Sequence, residues 1–387
     1  MGVPSLPLAL ALATPWLLVP LVAVLRLSRS RSLDDESADV PADAPRVSVV
    51  IPARNEARNI ARCVRSVLAS GYPRLECIVV DDHSTDGTGG LARDAAAGDA
   101  RLTVIANPDL PDGWFGKQWA CATGARAARG ELLLFADADT AHAPDLLPRL
   151  VNAQRARDAD LISVAGHQEL GTFWERLVQP QVFAILAIRY GGTEVVSASR
   201  RAADKIANGQ CLMLRRAMYD RLGGHAAVRD KVAEDLSLAQ RTFEAGGRVA
   251  LVLGERQLAT RMYTSLRELV RGWRKNIYAG GRDAMPGGAF GRAMFPLLFP
   301  LPVLLALAPP IGLLLGLALG RETLVLWAAI CTGAQLLWWA AVSRKFGISV
   351  LHALAYPLGA LVLLGIMAQA LARGQQVEWK GRGYVSR

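Results

Sequence analysis

The sequence predicts a doubly wound α/β sheet set between one amino-terminal and about three carboxyl-terminal membrane segments. Three observations carry that expectation. Between Val47 and Ala165, short apolar or β-branched runs recur, each followed by a polar loop and a helix-like stretch, the alternation that builds a parallel sheet covered by helices. The chain is 52% hydrophobic over 387 residues, more apolar than one soluble domain of that size requires. The excess is concentrated at 5–25, 293–320, 323–342 and 348–371, each near the roughly 20 residues that span a bilayer.

Taken in order, residues 1–27 read as an anchor. No basic residue precedes the apolar stretch and Arg26, Arg29 and Arg31 follow it, so it lacks the positive leader of a cleaved signal and its carboxyl end belongs in the cytoplasm. Pro7, Pro15 and Pro20 keep a peripheral or re-entrant segment open as the alternative. Residues 28–45 are polar, with Pro41 and Pro45, and read as a linker. The first strand is Val47–Ile51, ending in Pro52-Ala53-Arg54-Asn55-Glu56 ahead of a helix from about Ala57 to Ser70. That arrangement presents backbone donors to an anion. A second strand, Glu76–Val80, ends in the acidic pair Asp81-Asp82, which either caps and turns or accepts hydrogen bonds from a base or ribose. The third strand, Leu102–Ala106, leads through a loop to Lys117 at a helix start, where a cation opposes the macrodipole and phosphate binding would explain it.

The fourth strand, Leu132–Ala136, is apolar throughout and delivers Asp137 and Asp139 with one residue between them. Carboxylates so placed at a sheet's carboxyl edge repel, and a hard cation that also bridges to phosphate oxygens relieves the repulsion. A helix to Arg157 and a strand at Leu161–Ala165 follow. Thr172–Tyr190 is a core or an interfacial helix, Asn208-Gly209-Gln210 precedes a short strand at Cys211–Leu214, and Glu234-Asp235 opens an amphipathic helix. Arg271-Gly-Trp273-Arg274-Lys275 lies on a basic face with Arg261 and Arg267.

Composition narrows the partners. From Arg200 to Arg292, 18 Lys and Arg stand against 9 Asp and Glu, most of the chain's net +10. That surplus faces something anionic. There is no interleaved aromatic set or motif for nucleic acid, and the adjoining apolar blocks favour lipid headgroups and a diphosphate. No Gly-rich dinucleotide or P-loop fingerprint is present. The five cysteines lack metal or redox spacing and read as buried thiols in a reducing compartment.

In that order, Val47–Asn59, Ile78–Thr88, Gly113-Trp-Phe-Gly-Lys117, Asp137-Ala138-Asp139 and Glu234-Asp235 resemble family 2 glycosyltransferases of the GT-A fold, over about residues 46–280. Together with the apolar segments and the closing Trp379-Lys-Gly-Arg-Gly-Tyr384, they look like the membrane enzymes that glycosylate hopanoids, carotenoids and ceramides. The resemblance implies a cytoplasmic catalytic domain at 46–290 of an inner-membrane protein, with a nucleotide-sugar half at 46–166 and an acceptor half at 167–290. A transmembrane region at 291–372 and a basic tail at 373–387 complete it.

The resemblance further implies that Pro52, Ala53, Arg54, Asn55, Glu56, Asp81, Asp82, Lys117, Asp137 and Ala138 hold a nucleotide-diphosphate sugar, a UDP-sugar first among them. Arg271 and Arg274 would cap its diphosphate. Asp137 and Asp139 would hold Mg²⁺ or Mn²⁺, and Asp235, supported by Glu234 and Lys117, would be the base in an inverting transfer to a hydroxyl or carboxyl of a lipid. Asn208, Gly209, Gln210 and Trp273 are assigned to the acceptor. The Q/R-x-x-R-W motif of processive and ceramide enzymes departs here, with Lys275 in the Trp position and Trp273 two places earlier. A polymer- or polyprenyl-phosphate-directed transferase, and a non-catalytic nucleotide-sugar-binding protein, are the rival readings. Three carboxyl-terminal spans would put Arg373, Lys380, Arg382 and Arg387 outside, against the positive-inside tendency, unless Pro309-Pro310 makes 293–320 a re-entrant hairpin.

Overall fold

The computed structural model describes residues 6–283, 285, 288–374, 376–379 and 382–385. In chain order the elements begin with α1 (Leu6–Leu27), β1 (Val47–Ala53), α2 (Ile60–Leu68), β2 (Leu75–Asp81), α3 (Thr88–Ala96), β3 (Leu102–Ala106), α4 (Gly116–Ala127) and β4 (Leu132–Ala136). Then come β5 (Thr140–His142), α5 (Leu146–Ala156), β6 (Leu161–Gln168), α6 (Phe173–Tyr190), α7 (Thr193–Ala198), β7 (Cys211–Arg215), α8 (Arg216–Arg221), α9 (Glu234–Glu244) and β8 (Val249–Thr260). Last are α10 (Leu266–Asp283), α11 (Gly288–Leu298), α12 (Leu301–Ala318), α13 (Glu322–Lys345), α14 (Tyr356–Arg373), β9 (Gln376–Trp379) and β10 (Arg382–Val385).

The chain divides into a sheet unit (Ser30–Glu169, Thr193–Met262, Gln375–Arg387) and a helical unit (Met1–Arg29, Leu170–Gly192, Tyr263–Gly374). The sheet unit is built on eight strands in the order β3-β2-β1-β4-β7-β6-β8-β5. Its first four are parallel, as βαβ crossovers demand. β7 runs antiparallel to both β4 and β6, so the sheet is mixed beyond β4. Every residue of β1 and β4 is buried, which is why both read as unbroken apolar runs rather than alternating ones. The order reverses between β1 and β4, so Pro52–Glu56 and Asp137–Asp139 leave the sheet side by side at its carboxyl edge, the crevice where open α/β sheets take ligands.

Residues expected as a linker are instead packed. Leu33 is fully buried, Arg149 donates to the carbonyls of Leu33 and Glu36, and Arg157 pairs with Glu36 at 2.6 Å. Buried apolar and ionic anchoring of that kind leaves no free tether. Two strands of the eight-stranded sheet have no clear signal in the sequence, nor does the hairpin β9–β10. β5 is three residues long, and in β8 the apolar start Val249–Leu253 is broken by the polar Gly254–Gln257 where β6 and β8 shift register. The expected boundary at 290 also moves, because α6 and α10 group with the apolar helices while β9 and β10 group with the sheet. Met1–Ser5, Gln375, Lys380, Gly381, Ser386 and Arg387 of the expected anchor and tail lie outside the described residues.

In the helical unit, four segments are long and apolar enough to cross a membrane: Leu6–Leu27, Phe290–Ala318, Glu322–Lys345 and Val350–Arg373. Trp16 ties α1 to α12 through Nε1 to the Leu305 carbonyl at 2.9 Å and meets Trp327 of α13 edge-on. Arg26 at the end of α1 donates to the carbonyls of Ile188 and Tyr190, supplying partners that the carboxyl end of α6 lacks.

Candidate active site

The site forms where the loops after β1, β2 and β4 meet the starts of α4 and α9. The β1 loop is zipped to the β2 loop: Asn55, in the left-handed region at φ 53°, donates its N–H to Ser84 Oγ at 3.0 Å and accepts from the Thr85 N–H at 2.9 Å. The Glu56 N–H donates to Thr88 Oγ1 at 2.8 Å. These bonds hold 54–59 out of α2, which starts at Ile60 rather than Ala57. Ala53 pairs with Asp81 in the β1–β2 register, and the Asp81 Oδ1 accepts from the Ser84 N–H at 3.0 Å. Asp82 is fully buried: its Oδ1 accepts from Asn107 at 2.9 Å, its Oδ2 from Arg382 at 2.8 Å, and its carbonyl from Arg54 at 2.6 Å.

Lys117, in the first turn of α4, reaches Asp137 Oδ1 at 2.8 Å and Glu234 Oε1 at 2.7 Å. Burial acts to lower its pKa, and the two carboxylates outweigh burial and hold the ammonium well above its ordinary range. Glu234 is buried; Asp235, beside it at the start of α9, accepts from the Gly209 N–H at 2.7 Å and the Leu236 N–H at 2.8 Å. Burial first, then the Glu234 charge, raise Asp235 to about 6. A Cβ on Gly209 would stand 3.1 Å from Asp235 Oδ2 and 3.3 Å from Lys117 Nζ, so glycine is what lets this loop approach. Asn208 and Gln210 knit the same turn, Asn208 Nδ2 donating to Gln210 Oε1 at 3.0 Å and the Gln210 N–H returning to Asn208 Oδ1 at 3.2 Å.

Pro52, Lys117, Phe135, Asp137, Gly209, Glu234 and Asp235 line one cleft, together with Cys121, Leu212 and His225. The last three were not singled out from sequence, and no local pattern marks them. His225 is neutral: burial and the Lys117 charge push it down to about 3, and its Nδ1 lies 2.9 Å from the Tyr219 hydroxyl. It is too weak a base for an alcohol.

Ala138 is buried between the two aspartates. Asp139 presents a buried Oδ1 with no hydrogen-bond partner among the described residues. Burial, Asp137 and Glu56 push its carboxyl up to about 8. An orphaned oxygen among like charges suits a divalent cation. Among the described residues no three His, Cys, Asp or Glu side chains are grouped to hold an ion by themselves, so a cation here would share its coordination with ligand oxygens. Arg271, Trp273 and Arg274 fall on α10 of the helical unit, where Trp273 is buried edge-on against Phe183 and Tyr263.

Residues 48–223 match the family model described as Glycosyl transferase family 2. Over that span the chain is similar to family 2 glycosyltransferases. Among its relatives are the 4,4'-diaponeurosporenoate glycosyltransferases of Staphylococcus haemolyticus, 27% identical over 62% of this chain and 63% of that one, and of Staphylococcus aureus, 27% identical over 87% and 88%. The first match thus spans less than two thirds of the relative's length. Among solved structures, a mannosyltransferase from Pyrobaculum calidifontis, in complex with GDP-Man and Mn²⁺, covers 95% of this chain and 97% of its own at 20% identity and a TM-score of 0.58. The chain shares the GT-A fold of that structure.

Proposed function

We propose that the glycosyltransferase moves a sugar from a nucleoside-diphosphate sugar to a hydroxyl or carboxyl of a membrane lipid, with inversion at the anomeric carbon. The observation that carries this reading is the convergence of Asp235, raised to about 6 by burial, with the Lys117–Asp137 and Lys117–Glu234 pairs in one cleft. Asp235 takes the acceptor proton as the acceptor oxygen bonds to the anomeric carbon, and the bond to the diphosphate breaks with its electron pair leaving on the nucleotide. A double displacement would need a second carboxylate as nucleophile. Asp137 and Glu234 are instead both engaged in ion pairs with Lys117.

Asp137 and Asp139 would hold Mg²⁺ or Mn²⁺ together with diphosphate oxygens; when bound, the ion supplies Lewis-acid stabilisation of the leaving group. The loops at 52–56 and 81–82 receive the nucleoside, and Asn208–Gln210 orient the acceptor toward Asp235. The names of the staphylococcal relatives support an extended apolar acceptor of the carotenoid class, and the four apolar helices support a membrane-bound one. Arg26 in the last turn of α1, with Arg29 and Arg31 after it, supports a cytoplasmic side for the sheet unit. The test is transfer by the full-length protein in lipid nanodiscs, from UDP- and GDP-sugars to a carotenoid acid or alcohol, with product configuration read by NMR. Inversion is expected; retention overturns the single displacement.

A further inference from the structure

On this reading of the cleft as a nucleotide-sugar site, we infer that the carboxyl-terminal hairpin belongs to it: Arg382 and Tyr384 are positioning residues for the two loops that receive the nucleotide. A fully buried carboxylate is costly unless a cation or several donors satisfy it. Asp82 has a local arginine at hand, yet Arg54 stands 3.6 Å from its Oδ2 while Arg382, 300 residues away in the chain, stands at 2.8 Å. The end of the chain therefore supplies the nearer guanidinium to the loop after β2.

Two residues on, Tyr384 engages the other loop. Its ring lies 4.4 Å from Phe115, centroid to centroid, and its hydroxyl accepts from the Gly116 N–H at 3.2 Å. That N–H opens α4 and has no partner within the helix, and the next residue is Lys117, which holds Asp137 and Glu234.

β9 and β10 are four residues each, and a lone two-stranded hairpin is marginal in water. Its place in the sheet unit thus depends on Asp82, Phe115 and Gly116. Docking of the hairpin and ordering of those loops are then linked, and the linkage is reciprocal: a nucleotide that fixes the loops tightens the hairpin, and loss of the hairpin contacts weakens the nucleotide.

The experiment uses the full chain in nanodiscs with Mn²⁺ and, separately, UDP and GDP, measuring nucleotide affinity by calorimetry and amide exchange over 382–385. One of the two nucleotides should slow exchange there in the unmodified protein. Arg382→Gln should weaken that nucleotide about tenfold, the loss of one charge-assisted hydrogen bond, and raise KM for the nucleotide sugar more than it lowers kcat. Arg382→Lys should recover part of the loss, and Tyr384→Phe, which keeps the ring, should give a smaller one. Nucleotide binding with unchanged exchange at 382–385 and unchanged affinity in Arg382→Gln and Tyr384→Phe would overturn this inference while leaving the nucleotide-sugar reading intact. An unmodified protein that binds neither nucleotide overturns both.

Discussion

A base raised from 3.8 to about 6 has a signature that an ordinary carboxylate lacks. The acid limb of kcat/KM reports the basic group of the free enzyme. With a pKa of about 6, roughly nine tenths of Asp235 is ionised at pH 7 and roughly one tenth at pH 5, so kcat/KM should fall about tenfold between them. With the ordinary value, more than about nine tenths would still be ionised at pH 5, and kcat/KM would barely move. The sign follows from the cause: burial and Glu234 favour the protonated form, so activity is lost as pH falls. Glu234→Gln removes the second of these causes and should move the limb to lower pH. Asp235→Asn should lower kcat by about 10²–10⁴, with little change in nucleotide affinity, and remove the limb. The assay is initial rate against pH at substrate concentrations below saturation, which reads kcat/KM. A limb near 6 that survives in Asp235→Asn would place the base elsewhere.

Asp139→Asn should abolish Mn²⁺-dependent tightening of nucleotide binding in calorimetry and cut transfer by orders of magnitude, and full transfer in excess chelator would defeat the metal assignment. Gly209→Ala, which brings a methyl to 3.1 Å from Asp235 Oδ2, should reduce kcat by roughly ten- to a hundredfold with the circular dichroism spectrum unchanged. Leu33→Ala should cost about 2–5 kcal/mol of stability as a core truncation, seen as a lower Tm, whereas a free linker would tolerate it.

The parallel half of the sheet was legible because burial on both faces makes β1, β2 and β4 read as continuous apolar runs. Asp137, Glu234 and Asp235 were legible as acidic residues at a strand exit and a helix start. What joins them was not: Lys117 was read as a phosphate ligand, and its bridge between Asp137 and Glu234 depends on how α4 and α9 pack. β8 was lost to its polar centre, and the packing of 30–44 to a composition that looks solvated until Arg149, Asn152, Arg155 and Arg157 of the α5 region are seen to hold its carbonyls and carboxylates. Arg382 and Tyr384 carried a family likeness only, since no spacing rule links residues some 300 positions apart.

The docking of β10 on the sheet unit also counts membrane crossings. The chain leaves that unit after Met262 and is back on it at Arg382, and a path that starts and ends on one side of a bilayer crosses it an even number of times. Between those points lie three segments long and apolar enough to cross. Three is odd, so an arrangement in which all three cross does not return the chain to its starting side. Phe290–Ala318 is the segment divided in two, as α11 and α12, and α12 runs unbroken through Pro309 and Pro310.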